Sequence, residues 1–142
     1  MAESILATVG NRRFNAFSAG CTPGAAPDPY VIEFLAQHHM RGAGLRPKGL
    51  ERFRGPQAPR MDFIITLCDV AASENFSEWP GDPVLAHWSV QEDDAGSGFE
   101  AVQRDNFWTL LRRINIFTSL PHGKLSRRVL EQRMLTLQPS YL

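Results

Sequence analysis

Met61-Asp62-Phe63-Ile64-Ile65-Thr66-Leu67-Cys68-Asp69 decides how this chain is organised. A short, nearly continuous apolar run of this kind fills a strand buried on both faces, as parallel sheets require. Here it ends in a thiol followed by a carboxylate. Chemistry in open parallel sheets collects just past the carboxyl ends of strands, so Cys68 stands where a site would be built. After a loop punctuated by Pro80, Gly81 and Pro83 comes a second short strand, Val84 to His87, leading into Trp88.

Working outward, elements alternate. Met1 to Val9 carries Ile5, Leu6 and Val9 at helical spacing, with Gly10-Asn11 as a stop. Arg13 to Ser18 alternates polar and apolar residues and predicts a strand closed by Ala19-Gly20. Asp28-Pro29 has the form of an N-cap and first helical residue, and Val31, Ile32, Leu35 and Ala36 follow on one face. A shorter helix is predicted from Pro47 to Phe53. The longest runs from Gly98 to Leu120, with Phe107, Leu110, Leu111, Ile114 and Phe117 in one stripe. Pro121-His122-Gly123 breaks it, and Lys124 to Leu137 predicts a terminal helix. Strands alternating with helices imply an α/β fold, a three-layer arrangement with a parallel sheet between helices. Only three strands can be counted, which is thin for such a core, and the chain opens on a helix.

Composition narrows the function classes. The 142 residues suit one ordinary domain, and 43% hydrophobic with 21% charged content is that of a globular protein. Fifteen basic and fifteen acidic residues cancel, which argues against a general electrostatic grip on nucleic acid or membrane. Arg127, Arg128 and Arg133 form the nearest thing to a basic patch and are read as a solvated helix face. No run approaches the ~18–20 apolar residues of a membrane span. With no basic stretch and apolar core at Met1 to suggest a signal peptide, a cytoplasmic location is expected. Cys21 and Cys68 are too few for a disulfide framework, and no Cys/His spacing suggests zinc, so neither a metal nor a bound cofactor is expected.

Several stretches, in order, resemble the low-molecular-weight protein tyrosine phosphatase superfamily, and within it the thioredoxin-coupled arsenate reductase branch. They are Met1-Ala2-Glu3, Phe17-Ser18-Ala19-Gly20, Pro59 to Asp69, Trp79-Pro80-Gly81, Ala86-His87-Trp88 and Phe117-Thr118-Ser119-Leu120-Pro121. The resemblance spans Met1 to Pro121. It implies a phosphatase-like domain over residues 1–121 and a helical extension over 122–142. Family members open with a buried strand and a Cys-x5-Arg-Ser loop a few residues before Met-Ala-Glu. Such a loop is an anion cradle, in which backbone N–H groups lower the thiol pKa and an arginine clamps the oxyanion. On this reading the first strand and its loop are missing, and the chain as it stands is expected to be inactive. No Cys-x5-Arg occurs in it: Cys21 is followed by Thr22-Pro23-Gly24-Ala25-Ala26-Pro27.

Site residues follow from the resemblance one at a time. Cys68 matches the second, attacking cysteine, which takes the sulfur of the arsenylated nucleophile and releases arsenite. Its plainer alternative is a small apolar residue at a strand end. The relay's third cysteine is absent from Val70 to Trp79, where Asn75 or Phe76 stands, which leaves the thioredoxin relay incomplete and points to a small thiol or a lost activity. For the complete family form the resemblance implies thioredoxin or a small thiol as reductant. The general acid, placed four residues after the tryptophan, falls on Glu92, with Asp93 where the family has proline; Asp93 or Asp94 takes the role if the register shifts. The alternative is a solvated acidic loop ahead of a helix. Glu3 and Ser18 match residues supporting the phosphate loop, and Lys48 falls near a position that helps hold a structural cation. Their plain readings are a helix-start carboxylate, a turn serine and a surface lysine. His87 is read as structural. The complete form would take an oxyanion, arsenate or a phosphate ester, and the unpaired sheet implies a homo-oligomer. A non-catalytic oligomeric interaction module and a protein tyrosine phosphatase are the competing functions.

Overall fold

The computed structural model describes residues 1–10, 12–92 and 98–137, which form two compact units. One comprises Met1–Gly49 with Gln91–Ser119, the other Leu50–Val90 with Leu120–Leu142.

The first unit is helical. Helix α1 (Ala2–Val9) buries Ile5 completely and packs along α4 (Phe99–Ser119), whose inner stripe of Phe107, Leu110, Ile114 and Phe117 is buried. The polar side of α1 is tied down as well. Ser4 Oγ donates to the Arg41 carbonyl, and the Arg41 N–H donates to Thr8 Oγ1 at 2.8 Å. Helix α2 (Pro29–Gln37) starts where Asp28-Pro29 predicts: Asp28 Oδ1 accepts from the Tyr30 N–H at 2.9 Å and the Val31 N–H at 3.3 Å. These bonds satisfy N–H groups that have no partner within the helix.

Arg13 to Ser18 is not a strand. Phe14 instead packs on Phe117 with ring centroids 5.4 Å apart, and Arg13 Nη1 donates to the Thr118 carbonyl at 3.1 Å. Alternation marks two faces, but a strand also needs a backbone partner. Close by is an isolated parallel bridge, Gly20 to Gly49, where the Gly20 N–H donates to the Lys48 carbonyl at 2.8 Å. That bridge also corrects the helix predicted from Pro47. It holds Lys48 and Gly49 extended, so only a single 3-10 turn, Leu50–Phe53, follows.

The second unit holds the sheet, which among the described residues has two parallel strands rather than three. β1 (Phe63–Thr66) pairs with β2 (Val84–His87), Phe63 opposite Val84 and Thr66 opposite His87. Pairing continues past the strand ends, with the Trp88 N–H donating to the Thr66 carbonyl at 2.8 Å and the Val90 N–H to the Leu67 carbonyl at 3.2 Å. The turn before β2 needs Gly81. Its φ is +97°, and a side chain there would meet the Met61 carbonyl oxygen at 3.1 Å. Short helix α3 (Asp69–Ala72) leaves β1 directly, and α5 (Arg127–Leu135) packs on β2. Ser126 Oγ caps α5 by accepting from the Val129 N–H, so that helix begins later than predicted, after a 3-10 turn at His122–Lys124. Trp88, 1% exposed, joins the sheet to α5 through Nε1, which donates to the Met134 carbonyl at 3.1 Å. The architecture is α/β: a parallel sheet flanked by helices. Asn11 and the segment from Asp93 to Ser97 lie outside the described residues.

Candidate functional site

β1 delivers Cys68 where a strand-end thiol is expected. The residue is extended (φ −138°, ψ 161°), half-buried, and the N-cap of α3, with its carbonyl accepting from the Ala72 N–H at 3.0 Å. Neither cysteine is in a disulfide; Cys21 is exposed in the loop after Gly20.

A polar group gathers at the same end of the two strands. Thr66 Oγ1 lies 2.8 Å from His87 Nδ1 and 3.4 Å from the Ala86 carbonyl. His87 Nε2 lies 3.0 Å from Ser89 Oγ and 3.4 Å from Asp69 Oδ1. The Thr66 hydroxyl has one proton. If it goes to the Ala86 carbonyl, Nδ1 carries the ring proton and Nε2 accepts from Ser89. His87 is thus held by hydrogen bonds, as its strand-end position suggests. Thr66 and Ser89 escape sequence reading because nothing in their spacing announces a shared imidazole.

Glu3, Ser18 and Lys48 meet in the first unit. Glu3 Oε2 accepts from Ser18 Oγ and lies 3.4 Å from Lys48 Nζ, which also donates to the Arg46 carbonyl at 3.0 Å. The Lys48 side chain is only 11% exposed and that of Glu3 19%. Charge pairs this sheltered are poorly screened by solvent. Burial pushes the Met1 amine below its ordinary pKa; Glu3 opposes that shift and Lys48 adds to it. Glu3 and Ser18 line a cleft of about 310 Å³ together with Asp28, Arg46 and Gln103. A second cleft of about 550 Å³ lies in the other unit, against Phe76, Trp79, Leu85 and Arg127, and takes in none of the expected site residues.

Glu92 is exposed in a loop, and Asp93 and Asp94 lie outside the described residues. What fixes the start of that loop is Asn106, a residue sequence reading missed. Its side chain accepts from the Gln91 N–H at 3.0 Å and donates to the Gln91 carbonyl at 2.9 Å. Asn106 is buried on α4, and its partner is backbone fifteen residues away, so no motif signals it. Among the described residues no group of three or more His, Cys, Asp or Glu side chains is gathered that could hold a metal ion. No helix among them is long and apolar enough to cross a membrane.

A parallel strand that ends in a half-buried thiol and turns straight into a helix defines an α/β protein whose candidate site lies at a strand's carboxyl end. The family model described as low molecular weight phosphotyrosine protein phosphatase matches residues 1–82, more than half of the 142, and the chain belongs to that family. No curated protein matches it. The matched stretch takes in Glu3, Ser18, Lys48 and Cys68 and stops before Glu92.

Proposed function

We propose that this chain carries the second half of a thiol-based oxyanion reaction, arsenate reduction to arsenite, with Cys68 as the attacking thiol. The observation that supports it is the placement of Cys68 at the end of β1, within the stretch matched by the phosphatase family. In the complete reaction a nucleophilic thiolate displaces water from arsenate to form a thiol–arsenate adduct. Cys68 Sγ, as thiolate, then attacks the sulfur of that adduct. An S–S bond forms, the S–As bond breaks, its electron pair goes to arsenic, and arsenite leaves. Thioredoxin or a small thiol returns the two electrons to the disulfide. Glu92 is assigned the protonation of the departing oxygen, and Glu3, Ser18 and Lys48 the support of the oxyanion loop.

The first thiol needs a Cys-x5-Arg loop. Neither cysteine here provides one, because position six after Cys21 is Pro27 and after Cys68 is Glu74. The proposal therefore concerns the protein with that loop joined ahead of Met1. The test is the Cys68→Ser variant of that longer protein, assayed with arsenate and separately with an aryl phosphate. Loss of arsenate reduction with phosphate ester hydrolysis retained is the expected result. Equal activity of variant and parent on arsenate would remove Cys68 from the chemistry and leave a phosphatase.

A further inference from the structure

Helix α4 turns one apolar stripe inward, yet a second line runs along its exposed side. Ala101, Asp105, Trp108, Arg112 and Ile116 follow at steps of four, three, four and four, an arc of about 80° on the helix surface. All five are exposed, Trp108 by 54% and Ile116 by 45%. Trp108 is nonetheless held in place: its ring meets Phe107 at 5.0 Å and His38 at 5.5 Å, both edge to face. Asp105 and Arg112 have no hydrogen-bond or ion-pair partner among the described residues. Two turns apart with Trp108 between them, they do not reach each other.

The line is its own complement when reversed: small residue, acid, tryptophan, base, branched residue. We propose that α4 is a self-association face, two copies packing α4 antiparallel about a two-fold axis beside Trp108. Asp105 then faces the partner subunit's Arg112, Ala101 leaves room for the partner's Ile116, and the two Trp108 rings meet at the axis. A two-fold axis makes each such pair occur twice, and antiparallel helices also align their dipoles favourably. A face that bound lipid or nucleic acid would have no use for an acid matched in position to a base. One helix of 21 residues, about 31 Å long, gives a contact at the small end of specific interfaces, so the dimer is reversible on dilution. None of this depends on the thiol chemistry.

Sedimentation velocity of the 142-residue chain over a concentration series tests the proposal. Asp105→Arg and Arg112→Asp each turn two attractions into two repulsions and should raise the dimer midpoint about tenfold. The double variant restores both pairs with reversed sign and should return within about threefold of the parent. Acrylamide quenching gives a second readout. Trp79 and Trp88 are buried at 8% and 1% exposure, so fluorescence that becomes protected as concentration rises reports Trp108. A chain that stays monomeric throughout, an oligomer indifferent to both single changes, or a double variant as weak as the singles would each overturn the assignment. Matching melting curves for all four proteins exclude misfolding as the cause.

Discussion

Two polar groups in this protein use nearly the same parts in different surroundings. Glu3, Ser18 and Lys48 bring together a carboxylate, a hydroxyl and a cation. At the end of the sheet, Asp69, Ser89 and His87 bring a carboxylate, a hydroxyl and an imidazole. The first carboxylate is 19% exposed and its lysine 11%; the second is 97% exposed and its histidine 25%. In the first group Ser18 is exposed, but the charged pair is mostly withdrawn from water, so Glu3 and Lys48 depend on each other. In the second, water competes for the carboxylate, and the pair contributes little. A sheltered cluster fits a supporting role, and an open one beside a half-buried thiol leaves room for a reacting partner.

The contrast can be broken most sharply by activity. The 142-residue chain, lacking the nucleophile and its arginine, is expected to show no arsenate reduction and no aryl phosphate hydrolysis. Turnover abolished by Cys68→Ser would make the open group a complete site by itself. Next, in the protein bearing the oxyanion loop, Glu92→Gln should slow leaving-group departure by roughly 10²-fold, well beyond the effect of Asp93→Asn. Equal effects at the two positions would show that the register after Trp88 is wrong.

Stability sharpens the comparison further. Glu3→Ala leaves Lys48 sheltered without its carboxylate and should cost about 2 kcal/mol by urea unfolding. Asp69→Ala should stay within about 0.5 kcal/mol of the parent. Similar losses at both sites would erase the distinction drawn from exposure. The smallest effect concerns the Met1 amine. Its pKa in the folded chain lies below the ordinary 8.0, so the unfolded chain binds more protons in the window between the two values. Stability should therefore rise with pH through that window, hold above 8.0, and be lost as pH falls through the folded value. A flat profile across that range would show the amine to be solvated.

How much of this was legible in the sequence varied with the kind of signal. The run at Phe63 to Thr66 and the Val84 to His87 strand could be read because short apolar runs between turn residues favour strands. Burial on both faces is not what they show: alternate residues are buried, and Leu85 is 54% exposed. Asp28-Pro29 could be read because capping chemistry is local. Arg13 to Ser18 misled because alternation describes two faces and says nothing about whether a neighbouring backbone exists. The 3-10 turn at Leu50 was hidden by a bridge to Gly20, thirty residues earlier. Glu3, Ser18 and Lys48 were reached only through the family resemblance, since nothing in their own surroundings marks them as neighbours. Thr66, Ser89 and Asn106 act through partners set by the tertiary fold, and no local pattern carries that information.

Asn106 has a consequence for timing rather than for stability. By holding both the N–H and the C=O of Gln91, it fixes the backbone immediately before Glu92. Glu92 is the very next residue, exposed, and starts from that fixed point. A side chain so close to a fixed backbone gives up little freedom on reaching any one spot. Release of the anchor by Asn106→Ala would take that advantage from Glu92, and any proton it delivers would arrive more slowly.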